Sequence, residues 1–463
     1  VWLAKARSLF TRSKSILFND AIRNHLVREA MTAQDQRQLD SIANIKSMLV
    51  ENQFGENPDF NAIHAGLIRA NEALIQLQKR YQVNNLTTVK LPHYIDYVEA
   101  DDHIYSYAQL NGRTQFVRLG PRQEFDSLKR RFDHYILLKE LSQDDSIGLQ
   151  LYQFLVSPLS QKLPARVTII PDGDIGLIPF DMLEVDKGEM VLEHSIVSYQ
   201  FQFEPYAATG DRKSHPFRIY CLAPTYPKKD PLFAGTERGS VYQLPFARQE
   251  ADTIKTIFGQ SVIVSTQGDK AQCKEQMISS NVFHFSGHAI VNASNAFLAL
   301  TDDGDIRHQL IDDEIALMQC PMDLAVLSAC ETGLGKMEYG EGIRSLGRSF
   351  LEAGASAAIY SLWTVNDKST SAIMAGLYKN LHKGKPKDEA LRQAKLDFIH
   401  TASVAMPHPY YWAGFVATGD MRPVRNRSIA MLIFMGIVVL TGVGIGITNM
   451  IRRAAVKSGS TAA

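Results

Sequence analysis

Leu324-Ala325-Val326-Leu327-Ser328-Ala329-Cys330-Glu331-Thr332-Gly333 is the stretch on which the fold and the chemistry of this chain turn. Its first six residues are apolar or small, bounded by turn formers, and too few for a stable helix. Such a run reads as a strand buried on both faces of a sheet. It ends in a thiol. Upstream, Val282-Phe283-His284-Phe285 is a second run of the same kind and ends in Ser286-Gly287-His288. A thiol and an imidazole therefore each follow the carboxyl end of an apolar strand. In open α/β sheets that edge is where ligands bind. A Cys and a His brought together there are the minimum for nucleophilic catalysis.

Working outward, strand-like runs recur over Val167–Ile170, Ser195–Tyr199, Arg218–Ala223, Ser261–Val264, Ser356–Tyr360 and Phe415–Thr418. Helical periodicity falls between them, over Ala247–Phe258, Tyr339–Ala353, Ser369–Lys383 and Lys387–His400. Alternation of this kind predicts an α/β domain over residues 166–420, with a mostly parallel sheet flanked by helices. Gly354 is placed to close the helix before the run at Ser356.

Residues 1–85 read as an α-helical region, with apolar stripes at Leu39, Ile42, Ile45 and Leu49 and at Leu67, Ile68, Leu74, Ile75 and Leu77. Asn57-Pro58-Asp59 separates the two stripes. The region is compatible with the end of a helical repeat array. Residues 86–165 form a small β unit with connecting helices. Its β formers include Tyr94, Tyr97, Ile104, Tyr105, Tyr107, Phe116 and Val117, and Asn111-Gly112 is a hairpin turn signal. Helices are expected from about Arg122 to Leu141 and from Ile147 to Leu163.

Lys+Arg and Asp+Glu are equal at 49 each, so nothing in the charge balance argues for nucleic acid as a partner. The four cysteines are scattered, with no CxxC pair, which predicts neither a disulfide framework nor a zinc knuckle and fits a reducing compartment. Ser428–Ile451 carries no charged residue. As a helix it would span about 36 Å, enough for a hydrocarbon core of about 30 Å. It is therefore expected to be a single transmembrane helix, followed by a short polar tail over 452–463. Arg422, Arg425 and Arg427 on one side balance Arg452, Arg453 and Lys457 on the other, so charge gives no orientation.

A free Cys titrates near ~8.5, so Cys330 needs a base or an opposite charge to attack at neutral pH, and His288 is the natural one. Backbone N–H groups at Cys330 and Ala289 are candidates for an oxyanion hole. A small buried hydrophobe remains the other reading of Cys330. His284 and His288 are four apart, but the surroundings of His284 are strand-like and no further ligand lies nearby, so no metal site is expected. Glu331, Glu338, Glu341, Asp302, Asp303, Asp305 and Asp367 are the acids that could orient His288 or line a pocket for a basic side chain; Glu341 could instead cap a helix. Ser361-Leu362-Trp363 follows the strand at Ser356 and would border the cleft if that strand neighbours the one ending in Cys330. There its backbone could pair with a peptide, and Trp363 could wall a side-chain pocket or pack in the core.

These residues resemble the CHAT family of caspase/separase-like cysteine peptidases. Phe283-His284-Phe285-Ser286-Gly287-His288 is similar to its histidine motif, and Leu327-Ser328-Ala329-Cys330-Glu331-Thr332-Gly333-Leu334-Gly335 to its cysteine motif. Gly340-Glu341-Gly342, Arg348–Ala355, Ser361–Asp367 and His408–Phe415 match the blocks that follow. Ile170-Pro171-Asp172-Gly173, Leu177-Ile178-Pro179-Phe180 and Leu244–Ala251 match blocks upstream. The resemblance covers about residues 86–420. It implies a caspase-like fold and cysteine endopeptidase chemistry, with His288 as base, Cys330 as nucleophile and no cofactor. Helical repeats often precede this region in the family. In one departure, Ala289 stands where such peptidases usually carry Gly after the histidine.

The expectation is a membrane-anchored cysteine endopeptidase, its catalytic domain on the cytoplasmic side. It would act on a protein or peptide substrate, contact the lipid bilayer through 428–451 and bind a regulator on its N-terminal helices. The alternative is a catalytically silent caspase-like scaffold or signalling module at the membrane, for which Ala289 is the one feature in favour.

Overall fold

A computed structural model of the chain describes residues 31–52, seven positions between 62 and 73, 91–138, 146–201, 216–226, 244–291, 296–301, 305–329, 335–338, 342–401, 408–424 and 441. Two units are distinguished. The first comprises 1–214 and 218–424; the second, 215–217 and 425–463, falls almost wholly outside the described residues.

In the first unit, helix α1 (Ala33–Asn52) is followed by three strands, β1 (Tyr94–Glu99), β2 (His103–Leu110) and β3 (Arg113–Pro121). Helices α2 (Arg122–Leu138) and α3 (Ile147–Leu155) lead to strands β4 (Arg166–Ile170), β5 (Ile196–Tyr199) and β6 (Ile219–Leu222). Then come α4 (Pro245–Phe258), β7 (Val262–Ser265), α5 (Lys270–Ser279), β8 (Val282–Gly287), α6 (Asp312–Leu317), β9 (Leu324–Ala329) and α7 (Leu346–Glu352). Strand β10 (Ala357–Ser361), helices α8 (Asp367–His382) and α9 (Lys387–Thr401) and strand β11 (Phe415–Gly419) complete it.

The strands form one eleven-stranded sheet in the order β3-β2-β1-β4-β5-β11-β10-β9-β8-β6-β7. The hairpins β1-β2 and β2-β3 are antiparallel, and Asn111 (φ 50°) and Gly112 (φ 76°) supply the left-handed turn between β2 and β3. The small β unit is continuous with the main sheet, because β1 pairs in parallel with β4, Tyr94 against Thr168. From β10 through β9, β8 and β6 to β7 all pairs are parallel. The central strands β8 and β9 are buried at every residue, which is why they read as unbroken apolar runs. Helices cover both faces. Phe283 of β8 stacks on Phe350 of α7, with ring centroids 5.5 Å apart, while its neighbour His284 points to α4 and α8 on the opposite face.

Strand β11 runs antiparallel to β10, Ser361 opposite Phe415. The reason lies in the connection. One crossover helix returns a chain to the start of a parallel neighbour, but α8 and α9 traverse the sheet twice and deliver the chain to the edge where β10 ended. The segment before β11 therefore lies at the carboxyl edge of β8, β9 and β10.

Two sequence expectations need correction. The helix expected over Tyr339–Ala353 is confined to α7: Gly335–Glu338 and Gly342–Ser345 pair as an antiparallel hairpin, and Ser345 caps the helix by accepting the Arg348 N–H. The glycines at 340 and 342 disfavour helix, and the capping serine fixes the true start, so the cap position considered for Glu341 is taken by Ser345. In α1, Leu39 and Ile42 are buried with Met31 and Ala70, but Ile45 is 47% exposed. At about 100° per residue, Ile45 sits about 120° around the helix from Leu39 and leaves the apolar face. Gly354, at φ 101°, closes α7 as expected.

Among the described residues no helix is long and apolar enough to cross a membrane. The run expected to span one, 428–451, lies outside the described residues except for Thr441, as do the stripe at 67–77, Asn57-Pro58-Asp59 and the tail 452–463.

Candidate active site

The pairing of β8 with β9 sets Val282 against Leu324 and ends with Gly287 against Ala329. The next residue on one strand is His288 and on the other Cys330. The two strands are parallel, so both chains leave the sheet at the same edge and at the same level. Cys330, Glu331 and Glu341 lie outside the described residues, as do Asp302 and Asp303; for Glu338 only the backbone is described.

His288 is half-buried and held from both sides of its backbone. Its N–H donates to the Tyr226 hydroxyl at 3.3 Å, and its carbonyl accepts the Ala299 N–H at 2.9 Å. The Tyr226 hydroxyl in turn donates to the Ala299 carbonyl at 2.7 Å, and its ring centroid lies 5.2 Å from the imidazole. Gly287 is required by space: a Cβ there would stand 2.7 Å from both the Tyr226 oxygen and the Phe285 ring. Ala289 is buried and opens the short strand Ala289–Val291, which pairs with Ala296–Leu298, itself paired on its other side with Leu310–Ile311.

The strand ending in Ser361 is indeed the neighbour of β9. Ser361 is fully buried, and its hydroxyl donates to the Ala329 carbonyl at 2.6 Å. Leu362 is buried and sends its N–H to the Gly414 carbonyl at 2.8 Å. Trp363 is half-buried; its indole N–H donates to the Tyr410 carbonyl at 3.1 Å, and its ring meets Phe132 of α2 edge-on at 6.3 Å. These three residues knit the carboxyl edge of β9 and β10 to the segment that precedes β11.

The described acids have other partners. Asp305 accepts the N–H groups of Arg307, which hold its carboxyl down at about 2. Asp367, at the start of α8, accepts the Phe246 N–H at 3.0 Å, and burial pushes its carboxyl up. His284 is fully buried, with both ring nitrogens engaged: Nε2 lies 2.6 Å from Glu250 of α4, and Nδ1 lies 3.0 Å from the hydroxyl of Tyr378 of α8. It is a packed strand residue. This network clamps β8 four residues before His288.

The other three cysteines are buried free thiols. Burial pushes Cys221 well above the ordinary thiol range and Cys273 and Cys320 up to about 12. A thiol so shifted supplies almost no thiolate at neutral pH.

Tyr226, Glu250 and Tyr378 escaped the reading of the sequence. Tyr226 had a usable signal: it lies just past the carboxyl end of the strand at 219–222, the same position rule that selected His288. Glu250 lies in the block Leu244–Ala251 that resembles the family, but only the packing of α4 and α8 brings it and Tyr378 to His284.

Comparison with known proteins adds the family. A family model described as "CHAT domain" matches residues 145–420. Tetratricopeptide repeat protein 28 of Homo sapiens is 23% identical over 327 residues, which is 58% of this chain and 13% of that protein. The chain thus spans about an eighth of this curated relative. Among solved structures, the Arg specific cysteine proteinase gingipain R, from Porphyromonas gingivalis, superposes with a TM-score of 0.39 at 10% identity, covering 60% of this chain and 68% of that one. The Saccharomyces cerevisiae separase–securin complex gives a TM-score of 0.36 at 11% identity, covering 84% and 27%.

Proposed function

The chain belongs to the CHAT domain family, and from that premise we propose that it is a cysteine endopeptidase acting on protein or peptide substrates through Cys330 and His288. The observation that carries the reading is the register of Gly287 on Ala329, the residues before His288 and Cys330, at the carboxyl edge of two buried parallel strands. In this mechanism His288 takes the thiol proton, and the Cys330 sulfur attacks the scissile carbonyl. Backbone N–H groups of Ala289 and Cys330 hold the oxyanion. The amine leaves with the proton from His288, and a water deprotonated by the same imidazole releases the acyl group. Glu331, Glu341 and Trp363 are the candidates for contacts to substrate side chains. The chemistry needs no cofactor.

The test is cleavage of a diverse peptide library by the full chain beside its Cys330→Ala and His288→Ala variants. Cleavage lost in both supports the reading; cleavage that survives in Cys330→Ala sinks it. A second reading, a catalytically silent scaffold, is favoured by the Cβ that Ala289 adds at the cleft and by a curated relative named for its repeats. Intact folding with no cleavage by the unsubstituted chain favours that one.

Under either reading the N-terminal helices are proposed to bind a regulatory protein, and the charge-free run 428–451 to anchor the chain in a bilayer with the α/β domain on the cytoplasmic side. The support is the composition of that run and the scattered free cysteines. Protease treatment of intact cells tests the topology: digestion of the α/β domain before the cells are opened rules it out.

A further inference from the structure

Where β9 ends, its last carbonyl is held by a side chain. The β9–β10 ladder sets Ala325 on Ala358 and Leu327 on Tyr360. Beyond that point the register with β9 ends, while the pairing of β10 with β11, which runs from Ala357 on Gly419, continues: Ser361 pairs with Phe415, and Leu362 sends its N–H to Gly414. The Ala329 carbonyl instead accepts the Ser361 hydroxyl at 2.6 Å, and Ser361 is fully buried. A serine buried at the end of an otherwise apolar strand, Ala-Ala-Ile-Tyr-Ser, thus donates to a backbone oxygen at the end of the neighbouring strand.

That oxygen belongs to the peptide group joining Ala329 to Cys330. A peptide group is planar, and in the trans form its C=O and N–H point in opposite directions within one plane. A bond that holds the oxygen therefore sets the direction of the N–H. It also polarises the amide and strengthens the N–H as a donor. We infer that Ser361 is a positioning residue: through the Ala329 carbonyl it aims the backbone N–H of Cys330 at the oxyanion of the tetrahedral intermediate. The inference rests on the peptidase reading for its catalytic consequence, but the coupling of Ser361 to the Cys330 amide does not. In this role Ser361 touches no substrate, which differs from the place among substrate contacts expected for it from sequence.

The experiment reads the amide directly. The chain has four cysteines, so selective 15N-cysteine labelling gives four amide signals, and Cys330→Ser identifies the one of interest. In Ser361→Ala the Cys330 signal is expected to move while those of Cys221, Cys273 and Cys320 stay. In the same variant kcat for peptide cleavage falls by about tenfold to a hundredfold with KM little changed, as expected when a transition-state donor is misaimed. Alkylation of Cys330 by iodoacetamide forms no oxyanion, so its rate holds. Ser361→Thr keeps a hydroxyl and recovers most of the loss. A Cys330 signal that does not move overturns the coupling whether or not the chain is a peptidase. Cleavage and alkylation falling together overturn the catalytic role in favour of general disruption. If the unsubstituted chain cleaves nothing, the peptidase reading fails and takes the catalytic role with it, while the amide signal still decides the coupling.

Discussion

The hydroxyl of Tyr226 accepts the backbone N–H of His288 at 3.3 Å while its ring stands 5.2 Å from the imidazole. One side chain thus fixes the height of the proposed base and shields one side of its ring. Tyr226→Phe keeps the ring and removes the hydroxyl, which also leaves the Ala299 carbonyl without that donor. The expected result is a folded protein, less stable by about 1–3 kcal/mol, with kcat/KM down by about tenfold. Equal kcat/KM in the two proteins would remove Tyr226 from any role in placing His288.

Gly287→Ala tests the same corner by crowding. The added methyl carbon would sit 2.7 Å from the Tyr226 oxygen and the Phe285 ring, and overpacking of this kind costs about 1–3 kcal/mol. Because Tyr226 holds His288, turnover should drop further than the fall in the unfolding midpoint accounts for. A variant with unchanged midpoint and turnover contradicts the packing.

The buried Glu250–His284 contact at 2.6 Å should behave as a coupled pair. Glu250→Leu or His284→Leu alone strands a buried polar partner and is expected to destabilise by about 3 kcal/mol. The double variant removes both and should lose clearly less than the sum. Denaturant melts of the four proteins close the cycle; strict additivity would mean the two residues act independently.

Thiol chemistry offers a cheap check. Cys221, Cys273 and Cys320 are buried with raised pKa values, so brief treatment of the native chain with iodoacetamide at pH 7 should alkylate Cys330 alone. In guanidinium all four should react. Native labelling spread over the other three by peptide mass mapping would count against their burial and against a uniquely reactive Cys330.

A pH effect on stability is expected from strand β1, far from His288 in the order of the sheet. Glu99 ends β1, pairs with Arg122 at 3.0 Å and accepts the Ile175 N–H, yet burial raises its pKa from 4.5 to about 7. The folded protein therefore binds a proton more readily here than the unfolded chain, so this group's contribution to stability is complete below pH 4.5 and is lost as pH rises towards 7. In Glu99→Gln that downward slope should vanish. Melting profiles of the two proteins between pH 4.5 and 8 decide it; parallel profiles would show that Glu99 titrates at its ordinary value.

Much of the sheet was legible because parallel strands buried on both faces must be apolar throughout. The runs at 167–170, 195–199, 218–223, 261–264, 282–285, 324–327, 356–360 and 415–418 each became a strand to within a few residues. The meeting of Gly287 and Ala329 followed from the same logic, since both chemistry-bearing residues sit one position past such a run. What stayed hidden was set by distant partners. The reversal of β11 depends on counting two helices between strands, not on the strand's own letters. The hairpin before α7 carried a local signal in the glycines at 340 and 342, but the pairing of the residues on either side of them had none. The target of the Ser361 hydroxyl, a carbonyl 32 residues away in sequence, leaves no local mark at all.

The seam between β10 and β11 gives the domain a front and a back. Every strand on one side of it ends at the edge that carries His288, whereas β11 starts there and ends at the rear, where Asp420 bonds to Ser356 and the Lys387 ammonium binds the carbonyls of Asp420 and Arg422. The described stretch that closes with Val424 is thus tied down at the rear of the sheet. The edge that carries His288 and the end of this described stretch therefore lie apart, so a change at Lys387 or Asp420 leaves the surroundings of His288 untouched.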